Sequence, residues 1–280
     1  MKQKHEEIKK AVREGYGKIA KNKISCCSPM FPCCGNSSAK IITDVSKSVG
    51  YADDDLSSVP EDANLGLGCG NPVTLASLKK GETVLDLGSG AGIDCFLAAK
   101  KVGETGRVIG IDMTPEMLAR AKENAKKGNY KNVEFRLGEI ENLPIEDNYV
   151  DAILSNCVVN LSPDKDGVFK EAFRVLKPGG RLMVSDIVLL KKLPESIKKS
   201  INAYIGCLAG ATMKEEYLNA IKAAGFNEVK IISESTYPVE LAASNPAAKD
   251  IMDSNDISEK DFAEMITSIV SIRVQGIKTK

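Results

Sequence analysis

Cysteine is the side chain in this sequence with the widest range of possible chemistry. Four of the eight cysteines lie in the stretch ISCCSPMFPCC, as two adjacent pairs, Cys26 with Cys27 and Cys33 with Cys34. Such a cluster can bind zinc, form disulfides or supply reactive thiols. Structural zinc sites favour cysteines that are separated by roughly two to four residues on one turn. Here the two pairs are separated by five residues, and adjacent side chains tend to point apart. The spacing therefore favours reactive thiols, with zinc as the alternative.

The bulk composition limits the other kinds of chemistry. His5 is the only histidine and lies in a terminal segment, so a reaction that needs a histidine base or ligand is not expected. Basic and acidic residues balance at 38 each, which gives no electrostatic reason to expect a nucleic acid or an anionic membrane as partner. No apolar run could span a bilayer, and the charged N-terminal stretch does not resemble a signal peptide. We therefore expect a cytoplasmic protein with reduced thiols, which argues against a disulfide staple.

A glycine-rich turn is the second group of residues with a chemical meaning. The stretch VLDLGSGAGID places Gly88, Gly90 and Gly92 directly after an apolar segment. Glycine lets the backbone approach a ligand closely and adopt positive φ. Asp86 precedes the triplet, and Asp112 ends the next apolar segment, where a carboxylate typically accepts hydrogen bonds from ribose hydroxyls. The spacing is G-x-G-x-G, which resembles motif I of class I S-adenosylmethionine-dependent methyltransferases.

The elements that must position these residues alternate along the chain. Residues 23–71 have no clear period and are interpreted as a surface loop region with room for short helices. The alternation that follows predicts a parallel sheet that is covered by helices on both faces. Helices are predicted at 1–22, 93–102, 114–127, 165–176, 194–209 and 213–224, and strands at 83–88, 106–112, 132–138, 150–156, 181–189, 228–237 and 268–278, with KPGG (177–180) as a turn.

This scaffold gives the remaining cysteines predicted places. Ligands of such sheets lie outside the carboxyl ends of the strands, so Asn156 and Cys157, at the end of the fourth strand, are expected at the mouth of the site. Cys69 lies in the glycine-rich turn LGLGCGNP, and Cys207 lies in YIGCLAGA after the fifth strand. The alternative for Cys157 and Cys207 is a role as small buried hydrophobic residues, which is common for free cysteine. Cys95 is on the apolar face of a helix and is interpreted as core packing.

Taken together, the motifs resemble one family. LGCGNP, VLDLGSGAGID, GIDMTPEML, SNCVVNLSPDK, VLKPGGRLMVSDIV and GCLAGA, together with the paired cysteines, occur in the order found in arsenite methyltransferases. The resemblance covers residues 16–235 and implies an α/β fold, a Rossmann-like doubly wound class I methyltransferase sheet. It also implies three segments: an N-terminal cysteine-bearing helix and loop (1–71), an S-adenosylmethionine-binding core (72–190), and a C-terminal α+β extension with an arsenic-binding cover (191–280).

The resemblance also implies roles for individual residues. Cys69, Cys157 and Cys207 match the arsenic-binding thiols of the family, and Cys26 is the matching relay thiol, with Cys27 as the next choice. Cys33 and Cys34 are matched less securely. The residues expected to bind the S-adenosylmethionine cofactor are Asp86, Gly88, Ser89, Gly90, Gly92, Asp112, Met113, Glu139, Ile140 and Asn156, with Glu139 and Ile140 flanking the adenine.

The expected function is transfer of methyl groups from S-adenosylmethionine to thiol-bound trivalent arsenic. The expected partners are arsenite, methylated trivalent arsenicals and an external thiol reductant of the glutathione or thioredoxin kind, with no nucleic acid and no membrane. Two alternatives stay open. One is a class I methyltransferase of another small molecule, such as a quinone or a sterol, with a zinc-bound N-terminal clip. The other is a protein that binds arsenic or zinc without being an enzyme, although such a protein would not need the glycine-rich turn.

Overall fold

The computed structural model describes residues 2–22, 37–198, 204–236 and 265–279. Within these ranges no helix has both the length and the apolar character that a membrane crossing requires. The four N-terminal cysteines at positions 26, 27, 33 and 34 lie outside the described residues. The helices are α1 (Lys2–Asn22), α2 (Ser37–Ser48), α3 (Asp53–Ser57), α4 (Pro72–Leu75), α5 (Ile93–Val102), α6 (Pro115–Lys127), α7 (Lys165–Val175), α8 (Glu195–Lys198) and α9 (Lys214–Ala223), with short 3₁₀ turns at Glu61–Ala63 and Val159–Leu161.

A single sheet organises the described part of the chain. Its strands are β1 (Thr83–Leu87), β2 (Arg107–Asp112), β3 (Val133–Leu137), β4 (Val150–Asn156), β5 (Leu176–Leu189), β6 (Asn227–Thr236) and β7 (Ile269–Ile277). They lie in the order β3-β2-β1-β4-β5-β7-β6. The first five strands are parallel, whereas β7 runs antiparallel to both β5 and β6. This order and direction are those of the class I methyltransferase fold.

Apolar residues are buried on both faces of the sheet, as the continuous apolar runs of the parallel strands require. On one face α7 and α9 pack against the strands through Phe169 and Tyr217, whose rings meet edge to face at 5.4 Å. On the other face α5 and α6 pack through Phe96 and Leu118. The two layers fix the carboxyl ends of β1, β2 and β4 at one edge of the sheet, where a ligand site is expected.

Most of the predicted elements are confirmed, and three expectations need correction. The KPGG turn is wrong as an element boundary, because β5 begins at Leu176 and pairs there with Val150. The parallel sheet is correct for five strands only, since β6 and β7 are antiparallel additions. The region that was interpreted as loop contains the twelve-residue helix α2. Of the helix predicted at 194–209, the described residues show α8 and a helical turn at 204–205, and 199–203 lie outside the described residues.

Candidate active site

The glycine-rich turn forms the base of a cleft at the carboxyl ends of β1, β2 and β4. Gly88 has φ 67° and Gly92 has φ 100°, both in the left-handed region where a side chain is strained. A Cβ atom at Gly88 would also collide with the side chain of Val158. Ser89 donates its backbone N–H to the carbonyl of Ile111 at 2.9 Å, which ties the turn to the end of β2. On the side of the cleft the backbone of the turn is therefore not covered by side chains, as close approach of a nucleotide requires.

Asp112 connects the turn to the end of β2. Its Oδ2 accepts the Gly90 N–H at 2.9 Å, and its Oδ1 accepts the Thr114 N–H at 2.8 Å. Burial raises the pKa of the Asp112 carboxyl, while these two backbone hydrogen bonds oppose the shift. Asp112 and Met113 both line the cleft. The carboxyl group thus shapes the turn and lies where the ribose contact was predicted, and that contact stays a prediction.

Two further carboxyl groups form an acidic floor beneath the cleft. Asp86 and Asp94 are both buried, with exposed fractions of 2% and 4%. Burial raises the pKa of Asp94 to about 6, and burial together with the Asp94 carboxylate raises that of Asp86 well above its ordinary value. The Cys95 thiol, which is buried in the core as predicted, donates to Asp86 Oδ2 at 3.1 Å. Buried carboxylates facing a cleft stabilise a cationic ligand, and the sulfonium and ammonium groups of S-adenosylmethionine fit that requirement.

Asn156 is the main polar link between the floor and the thiols. Its Oδ1 accepts the backbone N–H of Cys69 at 2.9 Å, and its Nδ2 lies 2.7 Å from the Gly70 carbonyl. The same Nδ2 is 2.9 Å from Asp94 Oδ2 and 2.8 Å from the Tyr51 hydroxyl. The amide therefore holds the turn that carries Cys69 through hydrogen bonds. Asn156 also lines the cleft, so the predicted cofactor contact stays open beside this second role.

The three predicted arsenic ligands converge next to the cleft. Cys69 and Cys157, 88 residues apart in sequence, are joined by a disulfide with a Cα–Cα distance of 5.5 Å. The Cys207 thiol donates to the Cys157 carbonyl at 3.0 Å. Burial and the nearby Asp186 raise the pKa of this thiol well above its ordinary value. Three cysteines from distant segments thus share one corner, here called the thiol corner, in which Cys157 and Cys207 are buried and Cys69 is partly buried. The thiol corner meets the cleft because Cys157 lines it.

Two of these cysteines have an unusual backbone. Cys157 has φ 58° and Cys207 has φ 64°, in the left-handed region that residues with a Cβ rarely adopt. Such conformations persist where the surrounding structure enforces them, and they are frequent at functional sites. The hydrogen bond from Cys157 N–H to the Ser185 carbonyl, at 2.8 Å, holds one of them at the end of β4. The strained backbone supports a role for these cysteines beyond core packing.

The structure adds Asp186, near the carboxyl end of β5, to the thiol corner. Its side chain is fully buried, and one of its carboxylate oxygens lies within 4.8 Å of the sulfurs of Cys69 and Cys157. Asn160 Nδ2 donates to Asp186 Oδ1 at 2.8 Å, and the Tyr217 hydroxyl donates to Oδ2 at 3.1 Å. Burial raises the pKa of Asp186 to about 7. The sequence held one signal for this residue, an acidic side chain inside the apolar run LMVSDIVL.

Helix α1 covers the cleft from the outside. Lys9, Val12 and Tyr16 line the cleft, and Val12 is 1% exposed. Glu139 Oε2 lies 2.6 Å from Lys9 Nζ, and Oε1 lies 3.1 Å from Arg13 Nη2. The Glu139 carboxylate is therefore engaged by α1, and its predicted contact with adenine stays a prediction. Ile140, its predicted partner at the adenine, does line the cleft.

Comparison with known proteins identifies the relatives of this chain. A family model described as a methyltransferase domain matches residues 78–225. The arsenite methyltransferase of Halobacterium salinarum is 46% identical over 233 residues, which cover 81% of this chain and 59% of that protein. The arsenite methyltransferase of Aquipseudomonas alcaligenes is 36% identical over 189 residues, covering 65% of this chain and 54% of that protein. The chain thus spans less than two thirds of the length of these curated relatives.

A solved structure agrees with these relatives. The arsenic(III) S-adenosylmethionine methyltransferase from Chlamydomonas reinhardtii is similar with a TM-score of 0.60 and 30% identity, covering 84% of this chain and 73% of that chain. The strand order, the bare glycine-rich turn and the acidic floor fit the same fold and cofactor. The chain therefore belongs to the arsenite methyltransferase family, within the S-adenosylmethionine-dependent methyltransferases of the class I fold.

Proposed function

We propose that this protein transfers methyl groups from S-adenosylmethionine to trivalent arsenic that is bound by Cys69, Cys157 and Cys207. The observation that supports this most is the convergence of the three cysteines. Cys69 and Cys157 are bonded to each other, and the Cys207 thiol lies 3.0 Å from the Cys157 carbonyl. Trivalent arsenic is soft and thiophilic, so three thiolates can replace its three oxygen ligands. A methyltransferase of quinones or sterols has no need for three converging sulfurs, which disfavours that alternative.

The chemistry assigns simple tasks to the protein. Bound S-adenosylmethionine supplies an electrophilic methyl group on a sulfonium sulfur. The arsenic lone pair is the nucleophile and carries no proton, so the reaction needs no general base. The cysteines hold arsenic at the end of β4, directly beside the cleft, and this alignment provides the proximity effect. Asn156 links the Cys69 turn to the acidic floor through its hydrogen bonds to Cys69 and Asp94.

Methylation oxidises arsenic from the trivalent to the pentavalent state, so two electrons must return before the next turnover. Two thiolates can donate them and form one disulfide. The Cys69–Cys157 disulfide supports this pair as the electron source. An external thiol of the glutathione or thioredoxin kind then reduces the disulfide by exchange. We further propose that Cys26, or Cys27 in its place, captures arsenic or relays this exchange, and that the protein works in the reducing cytoplasm.

The test is product speciation. The reduced protein is incubated with S-adenosylmethionine, a small thiol and either arsenite or monomethylated trivalent arsenic. We expect Cys157→Ser and Cys207→Ser to abolish methylation of both substrates. Cys69→Ser should lose methylation of arsenite and keep it on the monomethylated substrate, which has only two exchangeable ligands. The small thiol then supplies the two electrons in place of the Cys69–Cys157 pair. Cys26→Ser should behave like Cys69→Ser unless Cys27 replaces it.

Two results would contradict the proposal. A Cys157→Ser protein that methylates either substrate would remove the arsenic site, and a Cys69→Ser protein that methylates arsenite at the parent rate would remove the division of roles. Alkylation provides an independent check, because arsenite should protect Cys69, Cys157 and Cys207 from a thiol reagent. Cys95→Ser is the matched control, since serine can keep the hydrogen bond to Asp86.

A further inference from the structure

A buried carboxylate beside two thiols is a different kind of site from three thiols alone. The ligand atoms of Cys69, Cys157 and Asp186 all lie within 4.8 Å of one another. They come from three separate places: the turn before α4, the residue after β4, and the carboxyl-terminal part of β5. In tetrahedral zinc sites the metal–sulfur and metal–oxygen distances of about 2.0–2.3 Å place neighbouring ligand atoms roughly 3.3–3.8 Å apart. Once the disulfide is reduced, the two sulfurs are free to separate to that spacing beside the carboxylate.

The charges around Asp186 are compatible with a divalent cation. Trivalent arsenic with three thiolates is neutral and leaves the Asp186 charge unchanged. A divalent cation with two thiolates and one carboxylate carries a net charge of −1. Lys165, whose ammonium group interacts electrostatically with Asp186, supplies the opposite charge. Because isolated charge is costly in a buried site, Lys165 balances the pocket in both cases, against the ionised Asp186 beside arsenic and against the net −1 of the cation site. Direct ligation by Asp186, and not the charge balance, therefore separates the two ions.

The carboxylate is also already oriented toward the thiols. Asn160 Nδ2 and the Ile187 N–H donate to Oδ1 at 2.8 and 3.0 Å, and the Tyr217 hydroxyl donates to Oδ2. Outer hydrogen bonds of this kind fix a metal-binding carboxylate and leave lone pairs on each oxygen for a ligand. Asn160 and Tyr217 are themselves buried, so the orientation does not depend on solvent.

We propose that the reduced protein binds a thiophilic divalent cation, of the class of Zn²⁺ and Cd²⁺, through Cys69, Cys157 and Asp186. The fourth position of the cation faces the cleft, which Cys157 lines. Divalent cations and trivalent arsenic then exclude each other, because they share two thiols. Asp186 distinguishes the two ligands: the cation needs its carboxylate and arsenic does not. The inference uses two thiols of the proposed function but does not depend on methyl transfer.

The test measures cadmium binding to the full chain after reduction with a phosphine. Cys26, Cys27, Cys33 and Cys34 are replaced by serine in every sample, so that they offer no competing thiols. Cadmium is titrated while the thiolate-to-cadmium charge-transfer band is followed. We expect one cadmium ion per chain, loss of binding in Cys157→Ser, and an affinity roughly tenfold or more lower in Asp186→Asn. Cys95→Ser and the exposed Glu146→Gln are controls that should bind like the parent.

Arsenite binding to the same samples separates the outcomes. Asp186→Asn should keep arsenite binding, which also shows that the variant is folded, and cadmium should displace arsenite from the parent. Arsenite binding without cadmium binding, or cadmium binding that ignores Asp186 and Cys157, would overturn this inference. Loss of both ligands in Asp186→Asn would overturn the distinction between them. Cadmium binding without arsenite binding would instead count against the proposed function and leave the cation site in place.

Discussion

The contact between Glu139 and helix α1 predicts a specific effect on donor binding. Lys9 Nζ and Arg13 Nη2 both reach the Glu139 carboxylate, at 2.6 and 3.1 Å. The side chains of Lys9, Arg13 and Glu139 are 13%, 41% and 33% exposed, so the group is only partly shielded from water. Since Lys9 also lines the cleft, this ion-pair group holds the cover of the donor site in place. Glu139→Gln removes the charge and keeps the size of the side chain.

The exposure of these three side chains determines how much free energy the Glu139→Gln change should cost. A partly exposed ion pair contributes about 0.2–1 kcal/mol, so loss of two pairs loosens α1 by about 1 kcal/mol. A change of this size corresponds to a roughly fivefold weaker affinity for S-adenosylmethionine. Salt should reduce the difference, because screening weakens such pairs in the parent protein as well. A carboxylate that bonded directly to the donor would contribute more, about 2–3 kcal/mol, which is on the order of a hundredfold.

The assay is calorimetric titration of S-adenosylmethionine at low and high ionic strength. We expect Glu139→Gln to weaken binding about fivefold at low salt and less at high salt. Glu6→Gln is the matched control, because it removes the exposed pair with Lys9 at 3.1 Å and leaves Glu139 intact. A hundredfold loss that persists at high salt would refute the reasoning and establish Glu139 as a direct contact. An unchanged affinity at low salt would show that α1 does not stabilise the bound donor.

Three further predictions concern the floor and the turns. Asp112→Ala should weaken S-adenosylmethionine binding by about 1–3 kcal/mol, and calorimetry that finds the parent affinity would exclude the carboxylate from the site. Asn156→Ala should free the Cys69 turn, so that Cys69 in the reduced protein is alkylated faster. Equal labelling rates by mass spectrometry would contradict the role of Asn156 in holding this turn. Asp94 has a folded-state pKa of about 6 against an ordinary 3.8, so its ionisation destabilises the fold as pH rises through that interval. Asp94→Asn should remove a loss of up to about 3 kcal/mol in the free energy of unfolding. The free energy of unfolding should then depend less steeply on pH between 3.8 and about 6. An unaltered slope would argue against the raised pKa of Asp94.

Local chemistry made the first half of the sheet predictable. The glycine triplet, Asp112 and the Pro115 start of α6 act over a few residues, and the structure shows each of them in its predicted place. The convergence of Cys69, Cys157 and Cys207 was predicted only through the resemblance to a family, because residues 69 and 157 are 88 positions apart. No local pattern specifies which distant thiols meet.

Long-range pairing explains what the sequence did not indicate. KPGG has the composition of a turn, yet Gly179 donates its N–H to the Lys278 carbonyl at 2.6 Å, and Leu176 pairs with Val150. These partners include the stretch in β5, although the register against β4 shifts there from Val150–Leu176 to Ala152–Arg181 and Gly179 has φ 82°. Asp186 was missed for a related reason: in sequence it is one acid in an apolar strand, and its neighbours Cys69 and Cys157 belong to other segments.

Strand β7 has a consequence for the synthesis of this protein. The Ser271 hydroxyl donates to the Cys69 carbonyl at 2.7 Å, and Arg273 Nη2 donates to the Val49 carbonyl, also in the segment before β1, at 2.6 Å. On the ribosome the first five strands are made long before β7, and domains generally fold from the N-terminus as they emerge. The turn that carries Cys69 therefore lacks this anchor until translation has passed residue 277. Until then the hydrogen bond from the Cys69 N–H to Asn156 holds the turn without the support of β7, so a chain that stops before β7 carries the donor cleft with a less firmly held thiol corner.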